Sequence, residues 1–165
     1  MQTPPTPRAL EGSDLETWAS LATVLEWLPP ALDEPLEQAF DLTHFEYGIL
    51  YALAGADHQS LRIGVLAGYA RSSISRLSRA VTRLESRGWA KRSRDPLDGR
   101  SIVVALTDEG RDVFARATPS HEENVHRLVL DALTAAQKRQ LLEITRRIQR
   151  SLREEGSWRP PAPPS

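Results

Sequence analysis

The stretch RSSISRLSRAVTRLESRGWAKRSRDPLDGR, running from Arg71 to Arg100, combines a helix pattern, a hairpin signal and a strong charge bias. Nine basic residues stand in it against only Glu85, Asp95 and Asp98. The chain of 165 residues has a net charge of −1, so these cations are balanced by acids elsewhere. Residues 1 to 60 hold one basic residue, Arg8, and ten acidic ones. Polarity of this kind bears on partners rather than on fold.

Within the stretch, Ser73 is an N-cap for a helix from Ile74 to about Arg87, and Gly88 is its stop. An advance of about 100° per residue groups Leu77, Val81 and Leu84 on one inward face. The opposite face carries Ser75, Arg79, Thr82 and Ser86, with Arg76 and Arg83 along one flank. Arginine can bridge guanine O6 and N7, and hydroxyls can meet bases or phosphates, so this mixture suits a groove of double-stranded DNA. Residues 89–94 and 101–106 then flank a tip at which Asp98-Gly99 favours a turn requiring positive φ, and the second segment holds the β-branched run Ile102 to Val104. That pattern predicts a β-hairpin, from which Arg94 and Arg100 project. A solvated charged face is the plainer reading of a charge run, but it does not account for cations that share a face and are followed by a basic hairpin.

Toward the N-terminus, Ser13 is a cap candidate for a helix with Leu15, Trp18, Ala22 and Leu25 on one stripe. Pro29 and Pro30 are expected to stop or kink it, leaving a second helical piece from Ala31 to Phe40. Thr43 and Glu46 have capping-box spacing and open a core helix that ends at Gly55. Residues 56–60 read as a loop, and Leu61 to Tyr69 as a helix weakened by Gly64 and Gly68. Toward the C-terminus, Thr107 caps a helix that Pro119 should interrupt by a kink or a restart, and Thr134 with Gln137 opens a last helix carrying Leu141, Thr145, Ile148 and Leu152.

Seven of the twelve prolines lie in residues 1–12 and 157–165, where few apolar side chains offset chain entropy, so both ends are expected to be disordered. The absence of cysteine excludes disulfides, thiolate zinc sites and thiol redox switches. No signal-peptide pattern or membrane-length apolar run is present, which points to a cytoplasmic protein without a membrane partner. No nucleophile motif, glycine-rich phosphate loop or carboxylate cluster suggests an enzyme, and no cofactor is called for. Metal binding is not expected either, because His121 and His126 are five apart and share a helix face poorly.

The stretch from Ser73 to Gly88 resembles the recognition helix of the MarR family of bacterial regulators, with the pattern TR-xxx-RLE-xRG falling on Ser78-Arg79 through Gly88. The family's wing signature, D-x-R followed by a strand and LT-xx-G, falls on Asp98, Arg100, Leu106, Thr107 and Gly110. Weaker similarity covers Trp18 to Leu152, and Pro119 with His121 resembles a branch in which a Pro-x-His pair interrupts the long fifth helix. Two features depart from the family pattern: Arg71 stands where a glycine is common, and the preceding helix has two glycines.

The resemblance implies a mostly α fold with a small β-hairpin wing, in which a winged helix-turn-helix DNA-binding domain is joined to terminal dimerisation helices. On that reading residues 13–156 form one domain, with 13–40 and 107–156 for dimerisation and 41–106 for DNA. It implies a homodimer, acting as a repressor on a pseudo-palindromic operator. Carried over by position, Ser75, Arg76 and Arg79 are base-contact candidates, with Arg83 beside them. Ser73 would cap the helix near a phosphate, and Arg100 would enter the minor groove, held by Asp98. Family members often bind a small aromatic acid as effector, and Trp18, His44, Tyr47 and Tyr51 could line such a crevice, with core packing as the simpler role. Of the histidines, only His44 is expected near it. A winged-helix module that binds an acidic protein partner is the alternative function.

Overall fold

The computed structural model describes residues 9–70, 72–96 and 98–154. The Pro-rich tail, most of the N-terminal segment expected to be disordered, and Arg71 lie outside the described residues. A single helix, α1, runs from Gly12 to Phe40 and contains Pro29, Pro30 and Pro35. The expected break at Pro29-Pro30 is therefore absent. A proline inside a helix removes the donor for the carbonyl four residues earlier. Here those carbonyls belong to Leu25, Glu26 and Ala31, the first two on exposed residues, where a carbonyl without its helical donor costs less than in a core. The last turns are held by burial of Leu32 and Leu36. Ser13 is not the N-cap: Glu11 takes that place without a side-chain bond.

Asp41, in the left-handed region at φ 51°, ends α1, and the chain turns into α2, His44–Ala54. The Thr43–Glu46 capping box forms in both directions. This helix is the centre of the lobe, with Tyr47, Ile49, Leu50, Ala52 and Leu53 buried. Residues 56–60 are more structured than a loop. A short 3-10 turn over Asp57–Gln59 leads into a strand, β1, Ser60–Arg62. Leu61 and Arg62 are thus strand, and α3 begins at Ile63 and ends at Tyr69.

The helix α4, Ile74–Ser86, starts at Ser73, whose hydroxyl accepts the Arg76 N–H, and is followed by Gly88 at φ 74°. Strands β2, Ala90–Arg94, and β3, Ile102–Leu106, form the expected hairpin, in register from Ala90 opposite Leu106 to Arg94 opposite Ile102. β1 joins the other edge of β3, giving a three-stranded antiparallel sheet in the order β1-β3-β2. Three residues are too few to show alternation, and their partner lies over forty residues downstream, which is why this strand was illegible in the sequence.

The helix α5, Asp108–Val125, is capped by Thr107, whose Oγ1 accepts the Gly110 N–H at 2.9 Å. Its first turn lies on the backbone of Trp89 so closely that a Cβ at Gly110 would fall 2.0 Å from the Trp89 carbonyl oxygen. The glycine of the LT-xx-G signature is thus a packing requirement. The helix does not restart at Pro119: α5 runs through it, and the carbonyl it deprives, that of Ala115, is on an exposed residue. The break comes later, as a π-helical turn at His126–Leu130. Finally α6, Ala135–Glu154, opens with Thr134 and Gln137 bonded reciprocally.

Leu36, Leu42, Leu50, Leu53, Leu66, Leu77, Val81, Leu84, Val104 and Val113 form one core around α2. Neither the first half of α1 nor α6 contributes to it. Leu15, Trp18 and Leu25 on α1, and Leu141, Ile148 and Leu152 on α6, are exposed in the single chain. No helix among the described residues is long and apolar enough to cross a membrane.

Candidate nucleic-acid interface

The α3–α4 pair holds α4 with its apolar face inward: Leu77, Val81 and Leu84 are fully buried. The outward face presents Ser75, Arg76, Arg79, Thr82, Arg83 and Ser86, all exposed. Arg79 is the candidate least engaged with the rest of the fold. Arg76 lies over the Phe45 ring, 4.5 Å from its centroid, which steadies the guanidinium by cation–π attraction while it stays exposed. Ser73 is doubly occupied, capping α4 and sharing a 3.1 Å hydrogen bond with the Ser75 hydroxyl.

Two of the sequence candidates are held more tightly than expected. The Arg83 Nε sits 3.0 Å from Oε1 of Glu46, a carboxylate that is 1% exposed at the start of α2. The arginine itself stays half exposed, so its terminal nitrogens remain open to phosphate. Thr82 donates its hydroxyl to the Ser78 carbonyl and accepts from Arg92 at 3.0 Å, so both of its roles are taken within the protein. Arg87 completes the junction, pairing with Asp41 and lying 3.8 Å from Glu46. A carboxylate excluded from water needs such partners, and Glu46 has two arginines besides the Thr43 N–H it accepts at 3.0 Å.

At the wing tip, Arg94, Asp98 and Arg100 are exposed. Asp98 shapes the turn by accepting the Arg100 backbone N–H at 3.2 Å and the Ser101 hydroxyl at 2.8 Å. It therefore holds the backbone of Arg100. At the tip-side end of β2 the buried Asp95 accepts from Arg62 Nε at 2.6 Å, tying β1 to that end of the hairpin.

A second constellation lies behind α2. His44 and His121 stack at 5.2 Å, and the Tyr47 ring lies 4.2 Å from His121 and 5.4 Å from Phe114. His121 thus joins His44 beside the crevice, through a contact between α2 and α5 that spacing alone could not reveal. Burial holds the pKa of both histidines below the usual value; nearby Asp33 opposes this at His44, while His44 reinforces it at His121. Burial likewise raises the Tyr47 hydroxyl, which shares a 3.3 Å hydrogen bond with Thr118. The Nδ1 atoms of both histidines are buried without a hydrogen-bond partner. A cavity of about 470 Å³ opens here, lined by His44, Tyr47, Tyr51, Tyr69 and His121 among others. Trp18 is not part of this wall and is 51% exposed on α1.

Residues 31–117 match the family model described as transcriptional regulator SarA/Rot. Sco3205, a MarR family transcriptional regulator from Streptomyces coelicolor whose crystal structure is in complex with DNA, is 38% identical with a TM-score of 0.85, over 89% of this chain and 92% of that one. The transcriptional regulator HosA of Escherichia coli is 31% identical over 108 residues, 66% of this chain and 78% of HosA. The HTH-type transcriptional regulator YdcH of Bacillus subtilis (strain 168) is 31% identical over 88 residues, 51% of this chain and 58% of YdcH. These are regulators rather than enzymes, and they agree with a capped basic helix followed by a three-stranded wing. The chain belongs to the MarR family of winged helix-turn-helix transcriptional regulators.

Proposed function

We propose that this regulator works as a homodimer that represses transcription by binding a pseudo-palindromic operator, each copy placing α4 in a major groove and its wing tip in the adjacent minor groove. The observation that carries this reading is the single exposed face of α4 with Ser75, Arg76 and Arg79, beside a wing that projects Arg94 and Arg100. Arg79 and Arg76 read bases, Ser73 and Arg83 meet phosphates, and Thr82 serves the wing instead. The apolar stripes left exposed on α1 and α6 support the dimer, as does their charge: α1 carries only acidic charges, whereas α6 is predominantly basic. Two copies that exchange these helices cover both stripes and pair the charges.

Duplexes selected by the protein from a random pool provide the test. A dimer neutralising about 6–10 phosphates loses roughly 10³–10⁵ in affinity between 50 and 200 mM salt. A flat response would sink the groove-docking reading, and capture of an acidic protein with no DNA shift would favour the interaction module.

The cavity beside His44, Tyr47 and Tyr51 is the proposed site of a small aromatic acid. Its aromatic walls suit a flat ring, and α2, which forms one wall, also carries Glu46 to Arg83 of the recognition helix. Thermal shifts across a panel of aromatic acids, repeated with Tyr47→Ala, check this. Shifts that persist unchanged in the variant would place the ligand elsewhere.

A further inference from the structure

Arg92, on the strand β2, makes more polar contacts with the recognition helix than any DNA-reading candidate makes with the rest of the fold. Its Nη2 donates to the Ser78 carbonyl at 2.5 Å, the Ser78 hydroxyl at 3.3 Å and the Thr82 hydroxyl at 3.0 Å. Its Nη1 lies 3.3 Å from Oε2 of Glu85, and its backbone N–H donates to the other Glu85 oxygen at 2.8 Å. One residue of the wing thus grips Ser78, Thr82 and Glu85, about one turn apart along α4, and its side chain is only 28% exposed. Both charged partners are largely out of water, where such bonds are stronger than on an open surface.

We propose that Arg92 is a positioning residue for DNA recognition: it fixes the wing to the recognition helix as one rigid body and so sets the distance between the major-groove and minor-groove contacts. The proposal rests on the reading that Arg79 and Arg100 meet DNA. The physical argument is one of reach. β2 and β3 are joined by their full ladder from Ala90–Leu106 to Arg94–Ile102, and the tip-side end of the hairpin is pinned to β1 by Arg62 and Asp95. The hairpin is stiff, and its tilt is set at two seams, where β1 meets β3 and where β2 meets α4. The Arg92 fork is the side-chain link at the second seam, and it occupies the hydroxyl of Thr82 that would otherwise face the groove. A planar, multidentate guanidinium holds an angle as well as a distance, which an ammonium does not.

The expected consequence is that flank preference and core preference separate. The probe is the duplex enriched by the wild-type protein, made with an A/T or a G/C flank under the wing, and the full chain is used throughout. In the wild-type background Arg100→Ala should weaken binding to the A/T-flanked duplex by about tenfold. In Arg92→Gln the wing is no longer aimed, so the Arg100→Ala penalty should shrink to less than about threefold while discrimination at the bases under Arg79 persists. Arg92→Lys should fall between the two. Glu85→Gln, which keeps an acceptor but removes the ion pair, should move in the same direction by a smaller step and serves if Arg92→Gln does not fold.

An unchanged Arg100→Ala penalty in Arg92→Gln and Glu85→Gln would overturn the proposal, since a residue that only supports the fold would scale all binding equally. A salt slope reduced by about one with flank preference intact would also overturn it, because Arg92 would then be contacting a phosphate itself. No penalty for Arg100→Ala in the wild-type background would instead reject the wing reading on which the proposal stands.

Discussion

Two helices of this chain, α4 and α6, have nearly the same description on paper. Both are capped by a hydroxyl residue, both are amphipathic with leucine and isoleucine or valine at helical spacing, and both are basic. In the structure they part company. The stripe of α4 is buried against α2, α3 and the sheet, with Leu77, Val81 and Leu84 at 0% exposure, while Ile148 on α6 remains 40% exposed. The comparison teaches that a basic amphipathic helix says only that one face will be covered. What covers it decides the function: when the chain's own core takes the apolar face, the cations are presented to solvent and to DNA, and when nothing in the chain does, as on α6, the exposed apolar face is what the proposed dimer would cover.

The largest effect should come from cutting the two stripes. Leu84→Ala is expected to cost about 2–5 kcal/mol of unfolding free energy at any protein concentration. Ile148→Ser is expected to shift the balance between dimer and monomer in sedimentation, with a loss of melting temperature that depends on concentration. Denaturant titrations at several concentrations would break the comparison if Ile148→Ser behaved like Leu84→Ala. Next is Gly110→Ala, which forces the first turn of α5 away from the Trp89 carbonyl and should cost about 1–3 kcal/mol. A neutral result by thermal melting would show that the seam beside the wing is more yielding than its geometry implies.

The cations sharpen the contrast further. Arg79→Ala should reduce discrimination between selected and scrambled DNA by about 1–3 kcal/mol, whereas Arg146→Ala on α6 should leave it within about 0.5 kcal/mol. Equal losses in competition binding would mean that α6 also touches bases.

The smallest expected effect concerns the junction between the two regions. The folded-state pKa values of His44 and His121 lie below the ordinary value near 6.5. The unfolded chain therefore binds protons first as pH falls. Their contribution to stability is complete above about 6.5 and is lost as the pH drops through the folded values. Melting at pH 7.5 and 5.5 should show that decline, and His121→Phe, which keeps a ring beside Tyr47, should flatten it. An equally steep profile in the variant would assign the titration to other groups.

Much of the DNA-binding lobe was legible because its signals are local. The Ser73 cap, the Leu77–Val81–Leu84 face and Gly88 each act within a few residues, and each appears where its spacing predicts, whereas the turn after Asp98 closes by the Ser101 N–H on the Asp98 carbonyl without the positive φ expected at Gly99. The prolines misled for a physical reason: their cost depends on whether the carbonyl four residues back can reach water, and at Leu25, Glu26 and Ala115 the residues are exposed. Glu46 shows the other limit. Its capping role was readable from Thr43, but its pairing with Arg83 and Arg87 crosses some forty residues and depends on how α2 meets α4.

The sequence by itself determined that a basic helix and a hairpin follow one another and that the acidic charge lies at the other end, because periodicity, capping and charge are written residue by residue. Only the tertiary structure decided which of the cations are available. Arg83 is shared with a buried carboxylate, Thr82 is taken by Arg92, and Arg79, Arg94 and Arg100 are left outward. A side chain's partners are set by the packing of elements distant in the chain, and a hydrogen bond formed inside the protein removes that donor or acceptor from the surface offered to DNA.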